Sequence, residues 1–292
     1  MPILLSMFCL LIGLLWAGGV TKTAHQQGVD YYKQQKYVEA IAALEAAVRT
    51  ETPKTPAYRE SVMLIGQSYF LLSQAPKAIP WLEKAPESNE ANYMLGYAYL
   101  QTKQPEQSET AFARLFGVAP DTANAHLLAA QMMMKQEYEP EAETEAKKAL
   151  AIDPKLPEAH FVLAEIAIFR GRPQDAIADL KAELAVNSGY SMAWYRLGDA
   201  YTREEHWDEA IPNLQRAVWL NPDFSGPFIL LGKCYYKTGN LANAEGILKR
   251  GLLLDPRNQS ANYLLGQTLE AEGKKAEAEA VFENLKALKQ SK

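Results

Sequence analysis

The chain has 292 residues, of which 48% are hydrophobic and 22% charged, and its formal net charge is −5. This is the composition of a globular protein, and it excludes an intrinsically disordered or collagen-like chain. Because 30 basic residues stand against 35 acidic ones, the sequence carries no excess of positive charge and predicts no nucleic-acid partner.

The N-terminal segment has the pattern of an export signal. Residues 1–21 contain no charged side chain, and residues 4–20 are apolar apart from Ser6 and three glycines. Small residues at 17–19 suit a signal peptidase that cleaves before Val20. Residues 1–20 are therefore predicted to be a signal peptide, and the protein to be exported to the periplasm or cell envelope. No Lys or Arg precedes the apolar run, which is at the short limit for a membrane span, so an uncleaved anchor through residues 4–20 is the alternative.

The rest of the chain repeats with a period of 34 residues. One small residue marks the same position in each unit: Gly28, Gly66, Gly96, Ala130, Ala164, Gly198, Gly232 and Gly266. Two irregularities interrupt the spacing. A longer, Pro-containing segment lies at residues 50–57, and a shortened turn lies at residues 85–90.

Each unit repeats the same pattern of apolar residues at helical spacing. The fullest copy has Trp194, Leu197, Gly198 and Tyr201, followed by Trp207, Ala210, Leu214, Ala217 and Pro222. This pattern and its period resemble those of the tetratricopeptide repeat (TPR) family, in which each repeat is a pair of antiparallel helices. The resemblance covers all of residues 21–292. It implies an all-α, right-handed α-solenoid of about eight repeats, near residues 21–54, 59–88, 89–122, 123–156, 157–190, 191–224, 225–258 and 259–292.

The sequence offers no pattern that would support an enzyme. It contains no phosphate-binding loop, no CxxC and no HExxH motif, and no evident pairing of a nucleophile with a base. His126 and His160 occupy equivalent positions in consecutive repeats, and we interpret them as packing residues because no third metal ligand accompanies them. No catalytic residue, metal site or cofactor is therefore predicted.

A stripe on each first helix is left over once the repeat pattern has been satisfied. The family resemblance implies that first helices line the concave groove of the solenoid, and this stripe is rich in aromatic and charged residues, as peptide-binding surfaces are. We expect none of its side chains to be needed for its own helix pair to close. The residues predicted to bind a partner are Tyr93, Tyr97, Phe161, Glu165, Phe169, Tyr195, Asp199, Arg203, Lys233, Tyr236, Lys237 and Tyr263.

The sequence therefore predicts a non-enzymatic TPR scaffold, exported or membrane-tethered, that binds a protein or peptide segment in its groove. The alternative is an accessory subunit that docks on the folded surface of a membrane machine for secretion, pilus assembly or polysaccharide export. Family resemblance alone does not choose between these two functions, because TPR proteins serve many unrelated assemblies.

Overall fold

A computed structural model describes residues 22–290, and these residues form sixteen helices and no strand. The chain divides into two compact units, with the boundary after Thr102, inside the predicted repeat 89–122. The described part of the first unit contains α1 (Ala24–Lys33), α2 (Tyr37–Thr50), α3 (Pro56–Leu71), α4 (Ala75–Leu82) and α5 (Asn89–Gln101).

The second unit contains the remaining eleven helices of the described residues. They are α6 (Pro105–Phe116), α7 (Ala123–Met134), α8 (Glu139–Ile152), α9 (Ala159–Phe169), α10 (Pro173–Val186), α11 (Ser191–Arg203), α12 (Trp207–Leu220), α13 (Ser225–Lys237), α14 (Leu241–Leu254), α15 (Gln259–Ala271) and α16 (Lys275–Gln290). Within each unit, helices that follow one another pack as hairpins, and each hairpin packs on the next. An isolated hairpin cannot bury its apolar face, whereas stacked hairpins form a continuous core.

The small residue of each repeat allows the two helices of a hairpin to approach closely. A β-carbon on Gly198 would lie 2.5 Å from Cγ of Leu214, a buried residue of the partner helix. The same close approach joins Gly232 to Leu248 in the next hairpin and Gly66 to Leu82 in the first unit. Ala130 and Ala164 fill the equivalent position and are fully buried.

The turn within each hairpin contains one residue in the left-handed conformation. Gly171, Gly239 and Gly273 adopt it with φ values of 67°, 76° and 82°. Other repeats place a non-glycine residue at the same position, such as Glu137 and Glu205, with φ values of 61° and 59°. The repeating backbone geometry is therefore kept even where the side chain does not favour it.

The predicted signal peptide or anchor, residues 1–20, lies outside the described residues. No helix among residues 22–290 is long and apolar enough to cross a membrane.

Candidate functional site

The twelve predicted groove residues fall in both units. Tyr93 and Tyr97 lie on α5 in the first unit, where their rings meet edge to face with centroids 4.9 Å apart. Tyr93 is 41% exposed, whereas Tyr97 is only 5% exposed. Tyr97 therefore presents little surface to a partner, although it belongs to the predicted binding stripe.

The other ten residues lie on α9, α11, α13 and α15 of the second unit, and all of them except Tyr236 form rows along the stack. One row is aromatic and contains Phe161, Tyr195 and Tyr263, which occupy the same position in their repeats. A second row contains Glu165, Asp199 and Lys233 of α9, α11 and α13, one helical turn after the position of the aromatic row. A third row lies at the ends of the first helices and contains Lys135, Phe169, Arg203 and Lys237, all of which are exposed.

The aromatic row packs partly against the neighbouring repeats. The ring of Phe161 lies 4.9 Å from that of Tyr190, and the ring of Tyr195 meets Phe224 edge to face at 5.0 Å. Tyr190 and Phe224 precede the first helices of the following repeats. Phe161 and Tyr195 therefore help to hold neighbouring hairpins together, while each side chain stays partly exposed.

The polar row bridges consecutive hairpins. Glu165 forms an ion pair with Arg196 of the next repeat, with two N–O contacts of 2.8 Å. Burial raises the pKa of Glu165, and the Arg196 guanidinium opposes that rise. One repeat earlier, the Gln131 amide donates to the Glu158 carboxylate at 3.1 Å. Asp199 instead pairs with Arg203 of its own helix at 3.2 Å.

A cavity of about 450 Å³ opens between α7 and α9, on the same side as these rows. Its wall combines apolar and aromatic side chains with a few polar ones, as in ligand-binding clefts generally. The lining residues are Gln131, Met134, Lys135, Glu158, Phe161, Val162, Glu165 and Tyr190. Burial raises the pKa of the Tyr190 hydroxyl to about 12, so this side chain is an uncharged phenol at neutral pH.

The backbone at the edge of this cavity is strained. Glu158 precedes α9 in the left-handed conformation, with φ 70° and ψ −10°. Its N–H donates to the fully buried Glu183 carboxylate at 2.8 Å, and burial raises the pKa of that carboxyl. This hydrogen bond to Glu183 therefore holds the backbone of Glu158, whose side chain lines the cavity. Strained backbone of this kind is often found at functional sites.

The remaining predicted residues differ in exposure. Phe169 is 60% exposed, and Tyr263 is 51% exposed with its ring 6.2 Å from that of Phe282. The Lys233 ammonium lies over the ring of Trp207, 5.6 Å from its centre. Tyr236 is half-buried, and Lys237 is exposed.

Sequence reasoning missed two residues of this region, Tyr190 and Arg196. Tyr190 could have been found, because Leu156, Tyr190 and Phe224 occupy one apolar position before consecutive first helices. Arg196 follows Tyr195 directly, and its guanidinium lies 5.7 Å from the centre of the Tyr195 ring. Nothing in the pattern of its own repeat indicates that it reaches Glu165 of the preceding one.

The histidines pair with carboxylates inside their own hairpins. Nδ1 of His126 lies 2.5 Å from Glu145, and Nδ1 of His160 lies 3.0 Å from Asp179. Both pairs connect a first helix to its second helix with the same spacing of 19 residues. Each histidine thus links the two helices of its hairpin through a polar contact. Among residues 22–290, no cluster of three or more His, Cys, Asp or Glu side chains could hold a metal ion.

Comparison with known protein families shows which family the chain belongs to. One tetratricopeptide repeat model matches residues 191–224, and a second matches residues 25–93, 93–157 and 229–291. These matches cover well over half of the chain, so it belongs to the TPR family. The all-α TPR solenoid predicted from the sequence is thereby confirmed. Comparison with curated proteins gives no match.

Solved structures of other TPR proteins are similar to this chain. MamA is 25% identical, with a TM-score of 0.53 over 56% of this chain and 95% of that one. YrrB, described as a TPR protein with an unusual peptide-binding site, is 20% identical, with a TM-score of 0.56 over 62% and 93%. PilF of Pseudomonas aeruginosa is 20% identical, with a TM-score of 0.55 over 68% and 91%. The predicted right-handed sense of the solenoid is consistent with these structures.

Proposed function

We propose that the protein is a non-enzymatic scaffold that binds an extended or helical protein segment along the first helices of its second unit. The observation that carries the proposal is the cavity between α7 and α9, which lies on the predicted binding stripe and offers an apolar floor with polar groups at its edge. YrrB, a TPR protein of similar fold with an unusual peptide-binding site, supports the proposal.

The charges at the stripe favour an acidic partner. Glu165 is neutralised by Arg196, and the Glu158 carboxylate accepts a hydrogen bond from Gln131. The exposed row at the helix ends carries three cations, Lys135, Arg203 and Lys237, of which Arg203 is paired with Asp199. A segment with one bulky apolar residue for the cavity and carboxylates for this row complements both features.

The proposal includes the place of action. An apolar segment at residues 4–20 is typical of a signal peptide or a membrane anchor, so the scaffold would work in the periplasm or cell envelope. The N-terminal residue of the protein purified from its native cells decides between the two: a start at Val20 supports cleavage, and a start at Met1 or Pro2 supports an anchor.

Site-specific photocrosslinking in the native cell tests the binding surface. A photoreactive residue at Phe169 or Lys135 should give adducts with a protein partner, whereas one at Asn243, exposed on second helix α14, should not. Met134→Trp places a bulky ring in the cavity and should remove the adducts. Asn243→Trp is the matched control and should leave them unchanged. Adducts that form equally from Asn243 would contradict the proposal.

One observation favours the alternative, an accessory subunit that docks on a folded partner. Apolar residues are exposed at the ends of second helices. The most exposed are Trp219 (69%) and Leu253 (81%), which occupy equivalent positions of consecutive repeats. Exposed apolar surface of this kind often marks a protein interface. A photoreactive residue at Trp219 that gives adducts, together with none from Phe169, would support docking through second helices instead.

A further inference from the structure

In the first unit, one second helix is much shorter than the others. α4 has eight residues, whereas the other second helices have 12 to 16. Leu82, which meets Gly66, corresponds to Leu214, which meets Gly198. α12 continues for six residues beyond Leu214, to Leu220, whereas α4 ends at Leu82 itself. About one and two-thirds helical turns, or roughly 9 Å, are therefore missing from α4.

The sequence explains why α4 stops there. Pro86 has no N–H to donate to the carbonyl of Leu82, and its ring disfavours helical backbone at Ala85. The chain turns instead, with N–H groups of Ala85 and Ser88 bonded to the carbonyls of Leu82 and Ala85 at 3.0 Å. The shortened turn at residues 85–90 is thus the direct result of a helix that ends early.

The missing turns leave a cavity of about 490 Å³ beside the start of α3. Its wall is mainly apolar and includes Tyr58, Val62 and Met63 of α3, and Ala85 and Pro86 of the shortened turn. Lys54, from the elongated segment at residues 50–57, completes the other side. Both irregularities in the 34-residue period therefore meet at one cavity.

The rim of this cavity is cationic. Lys54, Arg59 and Lys84 line it and are exposed. The Arg59 Nε donates to the Lys54 carbonyl at 3.1 Å, and the Lys84 ammonium lies 3.9 Å from the centre of the Trp81 ring. Two acidic residues also line the cavity, Glu60 and Glu87, but Glu60 is paired with Nε2 of His25 at 3.2 Å.

We propose that this cavity is a separate peptide-binding site, which takes one bulky apolar side chain from a protein segment with carboxylates on both sides of that residue. The apolar wall accepts the side chain, and the three cations at the rim attract the flanking carboxylates. The site is independent of the cavity between α7 and α9, and it exists because this repeat lacks the end of its second helix.

Fluorescence anisotropy with a defined probe tests the proposal on the full chain. The probe is a fluorescein-labelled peptide with the sequence Asp-Glu-Trp-Glu-Asp, and we expect a dissociation constant between about 10 μM and 1 mM, as for a single anchor residue. A peptide with Gly in place of Trp, and one with Asn and Gln in place of the acids, should each bind about tenfold more weakly or not at all.

Two variants at the cavity provide the structural test. Ala85→Trp fills the cavity from its own wall, and Arg59→Glu combined with Lys84→Glu reverses two rim charges. Each should weaken the binding of the probe peptide by about tenfold or more. Lys36→Glu reverses an exposed charge outside the cavity and is the matched control, and circular dichroism of every variant checks that the helices are retained.

The proposal fails if the acidic Trp peptide does not bind at about 1 mM. It also fails if Ala85→Trp and the charge reversal leave binding unchanged while Met134→Trp in the second unit abolishes it, because the probe then occupies the other cavity. Equal binding of the neutral peptide would contradict the role of the rim. Binding of phosphatidylglycerol vesicles without binding of the peptide would assign the cationic rim to a lipid surface.

Discussion

The ion pair between Glu165 and Arg196 joins two consecutive repeats at the centre of the predicted binding stripe. Both side chains are about one quarter to one third exposed, and two N–O contacts of 2.8 Å connect them. The pair lies beside the cavity between α7 and α9, since Glu165 forms part of its wall. Stability of the stack and the surface offered to a partner therefore depend on the same two residues.

We expect Arg196→Met to destabilise the protein by about 1–2 kcal/mol at neutral pH, because it leaves a largely buried carboxylate without its cation. Burial already raises the pKa of Glu165 above 4.5, and the loss of Arg196 raises it further. The native variant then holds a proton at a pH where the unfolded chain has lost it, so the deficit should shrink as the pH falls from 7 towards 5. Urea unfolding followed by circular dichroism measures both effects.

The control for this experiment is the double variant Glu165→Gln with Arg196→Met, which has neither charge of this pair. It should recover most of the stability lost by Arg196→Met, and its remaining deficit should not depend on pH over the same range. If Arg196→Met loses the same free energy of unfolding at pH 7 and at pH 5, Glu165 stays ionised and solvated without its partner.

The close contact between the helices of a hairpin gives a second prediction. In Gly198→Ala the new β-carbon would lie 2.5 Å from Leu214 Cγ, so the hairpin must open or Leu214 must change rotamer, at a cost of about 1–3 kcal/mol. Gly246→Ala is the matched control, because nothing lies within 4 Å of the added atom and helix propensity favours Ala by up to about 1 kcal/mol. Urea unfolding should therefore show opposite signs for the two variants, and a neutral Gly198→Ala would mean that the helices can separate freely.

The repeat pattern predicted the hairpins and the position of their closest approach, because only a small residue such as Gly198 lets two helices come this close together. It also located the two irregular segments. Pro86 is visible in the sequence and explains why α4 ends at Leu82. The cavity beside that helix end was not predictable, since it depends on how neighbouring hairpins stack. For the same reason the partner of Glu165 was not predictable: a contact between repeats depends on their relative offset, which the period does not encode.

Hydrogen exchange should distinguish the regular from the irregular repeats. Repeats that contact only their neighbours open locally where those contacts are weakest. Amides at residues 50–57 and 85–90 lie beside the shortened helix α4 and should exchange faster than those in the helices of residues 123–255. Slowest exchange at these two segments would contradict the idea that stability follows the regularity of the stack.

The two kinds of aromatic residue on the stripe should respond differently to truncation. Tyr195 packs edge to face on Phe224 of the next repeat, so Tyr195→Ala should cost about 2–4 kcal/mol of stability in addition to any loss of binding. Phe169 is 60% exposed, and Phe169→Ala should change stability by less than about 0.5 kcal/mol. Thermal unfolding of both variants is the measurement. A large loss from Phe169→Ala would mean that this ring belongs to the core and not to the binding surface.

A charge cluster near the C-terminal repeat should make the stability of the protein depend on pH in the acidic range. The ammonium groups of Lys249 and Lys274, each 2.5 Å from the Glu245 carboxylate, lower the pKa of Glu245 to about 2. This carboxylate therefore contributes its full stability above pH 4.5, where the same side chain is also ionised in the unfolded chain. Glu245→Gln should lower the free energy of unfolding at neutral pH by up to about 1 kcal/mol. The difference from the unmodified protein should then decrease as the pH falls from 4.5 towards 2, because protonation removes the same interaction.

Urea unfolding over this pH range checks the prediction, with Glu283→Gln as the control at an exposed pair with Lys286. A deficit of Glu245→Gln that persists at pH 2 would show that the side chain acts through packing and not through its charge.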